Sequence, residues 1–104
     1  MVAFIDSLDS LMPEIPVESI VSRKVFSSEH CKVTLFGFAA GEELTEHTAA
    51  SPAILHFLAG EADLTLGNEM ATAVPGSWVY MPAHLPHSVA AKTDVTMLLY
   101  LLTG

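Results

Sequence analysis

The sequence predicts an all-β sandwich or barrel folded as one domain. Three observations predict it. Apolar residues, many of them β-branched or aromatic, recur with period two in short runs. Glycine, proline and asparagine separate those runs at short intervals, as turns between strands require. No stretch carries the three-and-four apolar spacing of an amphipathic helix of any length.

The elements follow in order. Asp6 to Leu11 suits a single helical turn capped by Asp6 or Ser7. Pro13 and Pro16 end it and hold the next piece extended. From Glu18 the period becomes two, with Ile20, Val21, Val25 and Phe26 as apolar members, and Ser27 to His30 reads as a turn. Lys32 to Ala39 is a strand, punctuated by Gly41, and Glu43 to Thr48 is the next. Ala50-Ser51-Pro52 turns the chain into Ala53 to Ala59, which Gly60-Glu61 closes. Ala62 to Leu66 ends at Gly67-Asn68, a hairpin pair. Met70 to Val74 ends at Pro75-Gly76, and Ser77 to Met81 ends at Pro82. The loop from Pro82 to Pro86 leads into His87 to Ala91. Thr96 to Leu102 is apolar on both faces and belongs inside a sheet. Eight or nine strands result. Residues 1–17 read as an N-terminal extension or arm and residues 18–104 as the barrel.

Composition narrows the function. The 104 residues carry a net charge of −8 and are 51% hydrophobic. Only Arg23, Lys24, Lys32 and Lys92 are basic, and they are scattered. A nucleic-acid partner is excluded, because binding phosphates needs clustered cations. An anionic membrane surface is disfavoured for the same reason. The longest apolar runs, Leu35 to Gly41 and Met97 to Leu102, fall well short of the roughly 20 residues that span a bilayer. The apolar surplus therefore calls for a subunit interface, and a homodimer is expected. Cys31 is the single cysteine and has no intramolecular disulfide partner. Met1 to Met12 lacks a basic segment and a small-residue cleavage site, so the expected location is cytoplasmic.

The stretch from Gly41 to Val89 carries a family resemblance. It resembles a small single-domain cupin, whose first motif has the form G-x5-H-x-H-x3,4-E-x6-G. Gly41, His47, Ala53 and Gly60 hold that spacing. The second motif has the form G-x5-P-x-G-x2-H-x3-N, and its loose counterpart is Pro75-Gly76, Met81-Pro82-Ala83 and His87. The resemblance covers about Glu18 to Leu102 and implies a double-stranded β-helix, or jelly-roll, barrel. Metal-binding cupins take two histidines and a glutamate from the first motif and one histidine from the second. Here His47 and His87 are kept, Ala49 and Ala53 replace the other two ligands, and Ala91 replaces the motif asparagine.

Strand parity turns His47 and Ala49 toward the barrel interior. Ala53, Leu55 and Phe57 follow on the next strand, and the resemblance implies that Val79 and Met81 point inward beyond them. These residues, with His87, form the expected ligand-binding set. His84 is the best third donor for a metal held by His47 and His87, whereas His56 has the wrong parity. Glu43 has the right parity but sits too far along its strand from His47, roughly 13 Å at 3.3 Å per residue. Trp78 and Tyr80 share the opposite strand face from Val79. That face serves as the outer sheet surface, a subunit contact, or the floor beneath the N-terminal segment.

Three functions fit this pattern. The first is a stand-alone cupin binding a small organic ligand, with His47 and His87 as its polar contacts. The second is a metal-dependent oxygenase or isomerase holding one divalent ion (Zn, Fe, Mn, Cu or Ni). The third is a non-catalytic structural or sensor module with a filled barrel.

Overall fold

The structure is a computed structural model and describes residues 2–104. Nine strands follow a short 3-10 turn at Leu8–Leu11: β1 Ile20–Ser27, β2 Cys31–Phe38, β3 Glu43–His47, β4 Ala53–Ala59, β5 Ala62–Leu66, β6 Glu69–Ala73, β7 Trp78–Met81, β8 His87–Ala91 and β9 Val95–Leu102. They form two antiparallel sheets, ordered β1-β2-β9-β4-β7 and β3-β8-β5-β6. The predicted all-β barrel is the observed architecture, and the expected strands lie within a residue or two of the observed ones. Among the described residues, no helix is long and apolar enough to cross a membrane.

The turns explain the strand lengths. Gly41, Gly60, Gly67 and Gly76 all take positive φ, which a side chain disfavours. Gly60 is the most constrained of them. A Cβ there would fall on the Asp94 backbone carbonyl and 2.9 Å from the Val95 Cα. The last glycine of the first motif is thus a packing requirement, because the β4–β5 turn lies against the entry to β9.

Parity places the core between the sheets. Ala53, Leu55 and Phe57 of β4 point inward and are buried, together with Phe38, Leu64, Met81, Val89 and Met97. β9 lies between β2 and β4, as its apolar character on both faces predicts. Its inward residues Val95 and Met97 join the core, while Leu98 faces out. A second apolar cluster forms on the outside of the five-stranded sheet, where Met12 packs with Val33, Leu35 and Leu98. Leu8, Leu11 and Ile15 complete that layer. The N-terminal segment is therefore a cover for one half of this sheet, and Gly37 lets it approach: a Cβ there would lie 2.9 Å from Ile15.

Two features of β3 depart from simple alternation. Leu44 pairs with Val89 and His47 with His87, so three residues on β3 match two on β8. This bulge reverses the facing of the strand, since the extra residue breaks period two. Leu44 packs against the core and Glu43 is exposed, so Glu43 does not share the face of His47. The strand then ends at His47. Ala49 sits in the following loop, partly exposed, and strand parity does not reach it.

Candidate functional site

The two sheets bring His47 and His87 together. They are Cα partners at the end of the β3–β8 ladder. Their ring centroids are 4.2 Å apart, with planes inclined at 57°. His87 is 7% exposed, whereas His47 is open to solvent.

Each ring is held in the same way. His47 Nδ1 lies 2.8 Å from the Thr45 carbonyl oxygen, and His87 Nδ1 lies 2.9 Å from that of Leu85. A carbonyl only accepts, so each neutral ring donates through Nδ1–H. Both Nε2 atoms are then left with a lone pair and no proton. Each carbonyl belongs to the residue two positions back, so the orientation is built in locally and does not need a third element.

The remaining predicted site residues divide by depth. Ala53, Leu55, Phe57 and Met81 are 2%, 3%, 0% and 2% exposed and pack in the central core. Val79 is partly buried against them. These side chains belong to the packed core between the sheets. Around the pair the rim is apolar: Leu44, Leu66 and Leu85 are all partly buried on the core. Leu66 is the Cα partner of His87 on its other side.

A groove of about 570 Å³ adjoins this rim, lined by Glu46, Leu66, Gly67, Asn68, Glu69, Leu85 and Pro86. Sequence reasoning missed it. Glu46, Asn68 and Glu69 come from a strand end and a hairpin, and only the fold brings them to one place. The visible signal was the hairpin pair Gly67-Asn68 beside charged Glu69, with no cue that it would meet Glu46.

His84 does not complete the pair. Its φ is +68°, and its backbone N–H donates to the Ala49 carbonyl at 2.7 Å. It is a turn residue whose main chain ties the β7–β8 loop to the β3–β4 loop. The motif spacing accounts for this. From Gly76, five residues lead to Pro82, and two further on comes position 84, where the second motif has glycine. His84 thus occupies a left-handed position that glycine would take without strain. His56 lies on the outer face of β4, as its parity predicts, opposite Trp78.

The donor set does not fit a metal centre. Among the described residues, no three His, Cys, Asp or Glu side chains gather closely enough to hold an ion. A catalytic zinc has three protein ligands and a structural zinc four. Two imidazoles fall short of either. Ala49 and Ala53, which the motif spacing sets against the missing donors, lie in a loop and in the buried core respectively.

Two antiparallel sheets closed into a jelly-roll barrel, with a histidine pair at one end, define a cupin-type protein. The cupin domain family model matches residues 34–103, and the chain belongs to that family. Solved structures agree. A cupin superfamily protein from Desulfitobacterium hafniense is 28% identical with a TM-score of 0.87, over 98% of this chain and 95% of that one. A conserved protein of unknown function from Streptococcus pyogenes is 26% identical with a TM-score of 0.85, over 100% and 90%. An RmlC-like cupin from Desulfovibrio desulfuricans is 25% identical with a TM-score of 0.82, over 99% and 98%. No curated protein matches the chain.

Proposed function

We propose that this cupin binds a small, donor-rich organic molecule at the open end of the barrel, without a metal. The observation that carries the reading is the matched anchoring of the two rings. Nδ1 of His47 and of His87 is engaged by a backbone carbonyl, which leaves Nε2 of each ring as a hydrogen-bond acceptor, on rings whose centroids are 4.2 Å apart. The ligand would sit in the groove that shares Leu66 and Leu85 with the pair. A groove of this size suits a small organic molecule.

The chemistry of the lining selects the class. The groove itself offers the carboxylates of Glu46 and Glu69 as acceptors, and the imidazole pair beyond the shared Leu66 and Leu85 adds two Nε2 acceptors. The net charge of −8 disfavours an anion. A polyol or a small amine matches these groups, and the apolar rim of Leu44, Leu66 and Leu85 suits its carbon skeleton.

The test is a thermal-shift screen of neutral polyols, amines and organic acids on untagged protein, repeated on His47→Ala and His87→Ala. The reading expects hits among polyols or amines that weaken at least about tenfold in both variants, as loss of one hydrogen bond to a buried or charged partner allows. Hits confined to organic acids, or hits indifferent to both histidines, would overturn it.

A further inference from the structure

Two of the four basic residues of this chain meet in one cavity. It has a volume of about 290 Å³ and opens along β1 and β2, where Lys24, Ser27, Lys32, Thr34 and Leu101 line it. The strand register explains the grouping. Lys24 pairs with Thr34 and Ser27 with Lys32, and a bulge lies between Lys24 and Phe26. In a regular strand Lys24 and Ser27 would take opposite faces, and the extra residue turns both to one side. That side is the inner one. Lys32 and Thr34 alternate with Val33 and Leu35 of the outer cluster. Leu101, the Cα partner of Lys32, packs against the central core. The cavity shares no residue with the groove beside the histidine pair.

We infer that this cavity is a second binding site, which holds a small organic carboxylate between the ammonium groups of Lys24 and Lys32. The state of the cations is the first reason. Lys92 Nζ lies 3.8 Å from a Glu61 carboxylate oxygen, and the Arg23 guanidinium donates to the Ser22 carbonyl at 3.0 Å. Lys24 and Lys32 have no carboxylate partner among the described residues, in a chain with 12 acidic side chains. Glu29, the acid nearest to both in sequence, lies 3.3 Å from His30 instead. Among the described residues the cavity lining holds no Asp or Glu. Two ammonium groups at diagonal positions on one face repel each other. A bound anion replaces that repulsion with two attractions.

The chemistry of the lining is the second reason. The two ammonium groups and the hydroxyls of Ser27 and Thr34 are all donors, the inverse of the acceptors around the groove. A carboxylate accepts at both oxygens. Leu101 supplies apolar surface for a short carbon stem, and the volume is at the small end for a ligand pocket. Two cations match two carboxylates, so a short-chain dicarboxylate fits best. The overall charge of −8 does not govern this place. Exposed charges more than about 8 Å away are largely screened at physiological salt, and the charges that line the cavity are cationic.

The experiment is a titration of the full nitrogen-15-labelled chain with succinate at low ionic strength, followed through the backbone amide signals. Saturating shifts are expected at Lys24, Ser27, Lys32, Thr34 and their neighbours, with an affinity that falls as salt is added. Succinamide, the neutral diamide, should produce none. Lys24→Gln and Lys32→Gln should each weaken succinate at least about tenfold, as loss of a charge-assisted hydrogen bond allows. Both lysines are exposed, so the remaining amide signals should stay in place and show an intact fold. His47→Ala should leave succinate affinity unchanged. Shifts that do not saturate or that spread over the whole surface would overturn the inference. So would equal binding of succinamide, an affinity that both glutamine variants retain, or one that His47→Ala abolishes. The groove is judged separately, by polyols and amines and their dependence on His47 and His87.

Discussion

His47 and His87 face each other as Cα partners across β3 and β8, with ring centroids 4.2 Å apart and both Nδ1 atoms turned to a backbone carbonyl. The two rings are alike in anchoring and unlike in burial. His87 is 7% exposed and abuts the core, while His47 stands in solvent. Their replacement should therefore differ in effect on stability. His87→Ala leaves a cavity and an orphaned Leu85 carbonyl, which costs about 1–3 kcal/mol. His47→Ala should stay within about 0.5 kcal/mol of the parent. Urea unfolding of the two variants checks this, and equal effects would contradict the assigned depths.

His84 holds a left-handed backbone where the family motif places glycine. His84→Gly should stabilise the fold by about 1 kcal/mol, because the αL conformation costs a non-glycine residue that much. For a domain of this size the melting temperature should rise by roughly 4–8 °C. A fall on calorimetric melting would mean that the imidazole, and not the backbone turn, is what the position needs.

Gly60 cannot carry a side chain as built, because a Cβ would strike the Asp94 carbonyl and crowd the Val95 Cα. Gly60→Ala adds that clash to an unfavourable positive φ, and a loss of about 2–4 kcal/mol is expected. Gly41 shares the positive φ but has no atom within 4 Å of its Cβ position. Gly41→Ala should cost only the backbone term, about 1 kcal/mol. Comparing the two midpoints in denaturant separates packing from backbone strain.

The absent metal ligands can be restored. Ala49→His with Ala53→Glu returns both donors at the spacing that runs from Gly41 through His47 to Gly60. The double variant should bind divalent zinc orders of magnitude more tightly than the parent, measured by competition with a chromophoric chelator. Without metal it should melt lower, because Ala53 is 2% exposed and an unpaired carboxylate there is costly. A folded variant with parent-like affinity would show that Ala49 and Ala53 do not occupy the ligand positions.

Much of this was legible in the residues. Turn residues mark where the chain reverses, and period-two alternation marks which side chains share a face. That is why Ala53, Leu55 and Phe57 could be placed inward and Trp78 and Tyr80 outward. Three things were not legible. The β3 bulge between Leu44 and His47 leaves no compositional trace, so plain alternation gives Glu43 the wrong face. Alternation says which residues face inward and not how closely they pack, and Leu55, Phe57 and Met81 are 3%, 0% and 2% exposed in the core between the sheets. His84 looked like a donor because it is a histidine in a mouth loop, whereas its place is set by backbone conformation. The count of residues from Gly76 through Pro82 would have shown it.

The central claim is that the two imidazoles act as paired, metal-free acceptors at the barrel mouth. Long-range proton–nitrogen correlation spectra of the uniformly nitrogen-15-labelled chain test it most directly, recorded after chelation and again with the strongest polyol or amine hit. The account predicts the Nδ1–H tautomer for both His47 and His87, and an upfield move of both Nε2 signals on binding, as a lone pair that gains a donor shows. An Nε2–H tautomer for either ring, or Nε2 signals that stay put while the ligand saturates, would contradict it.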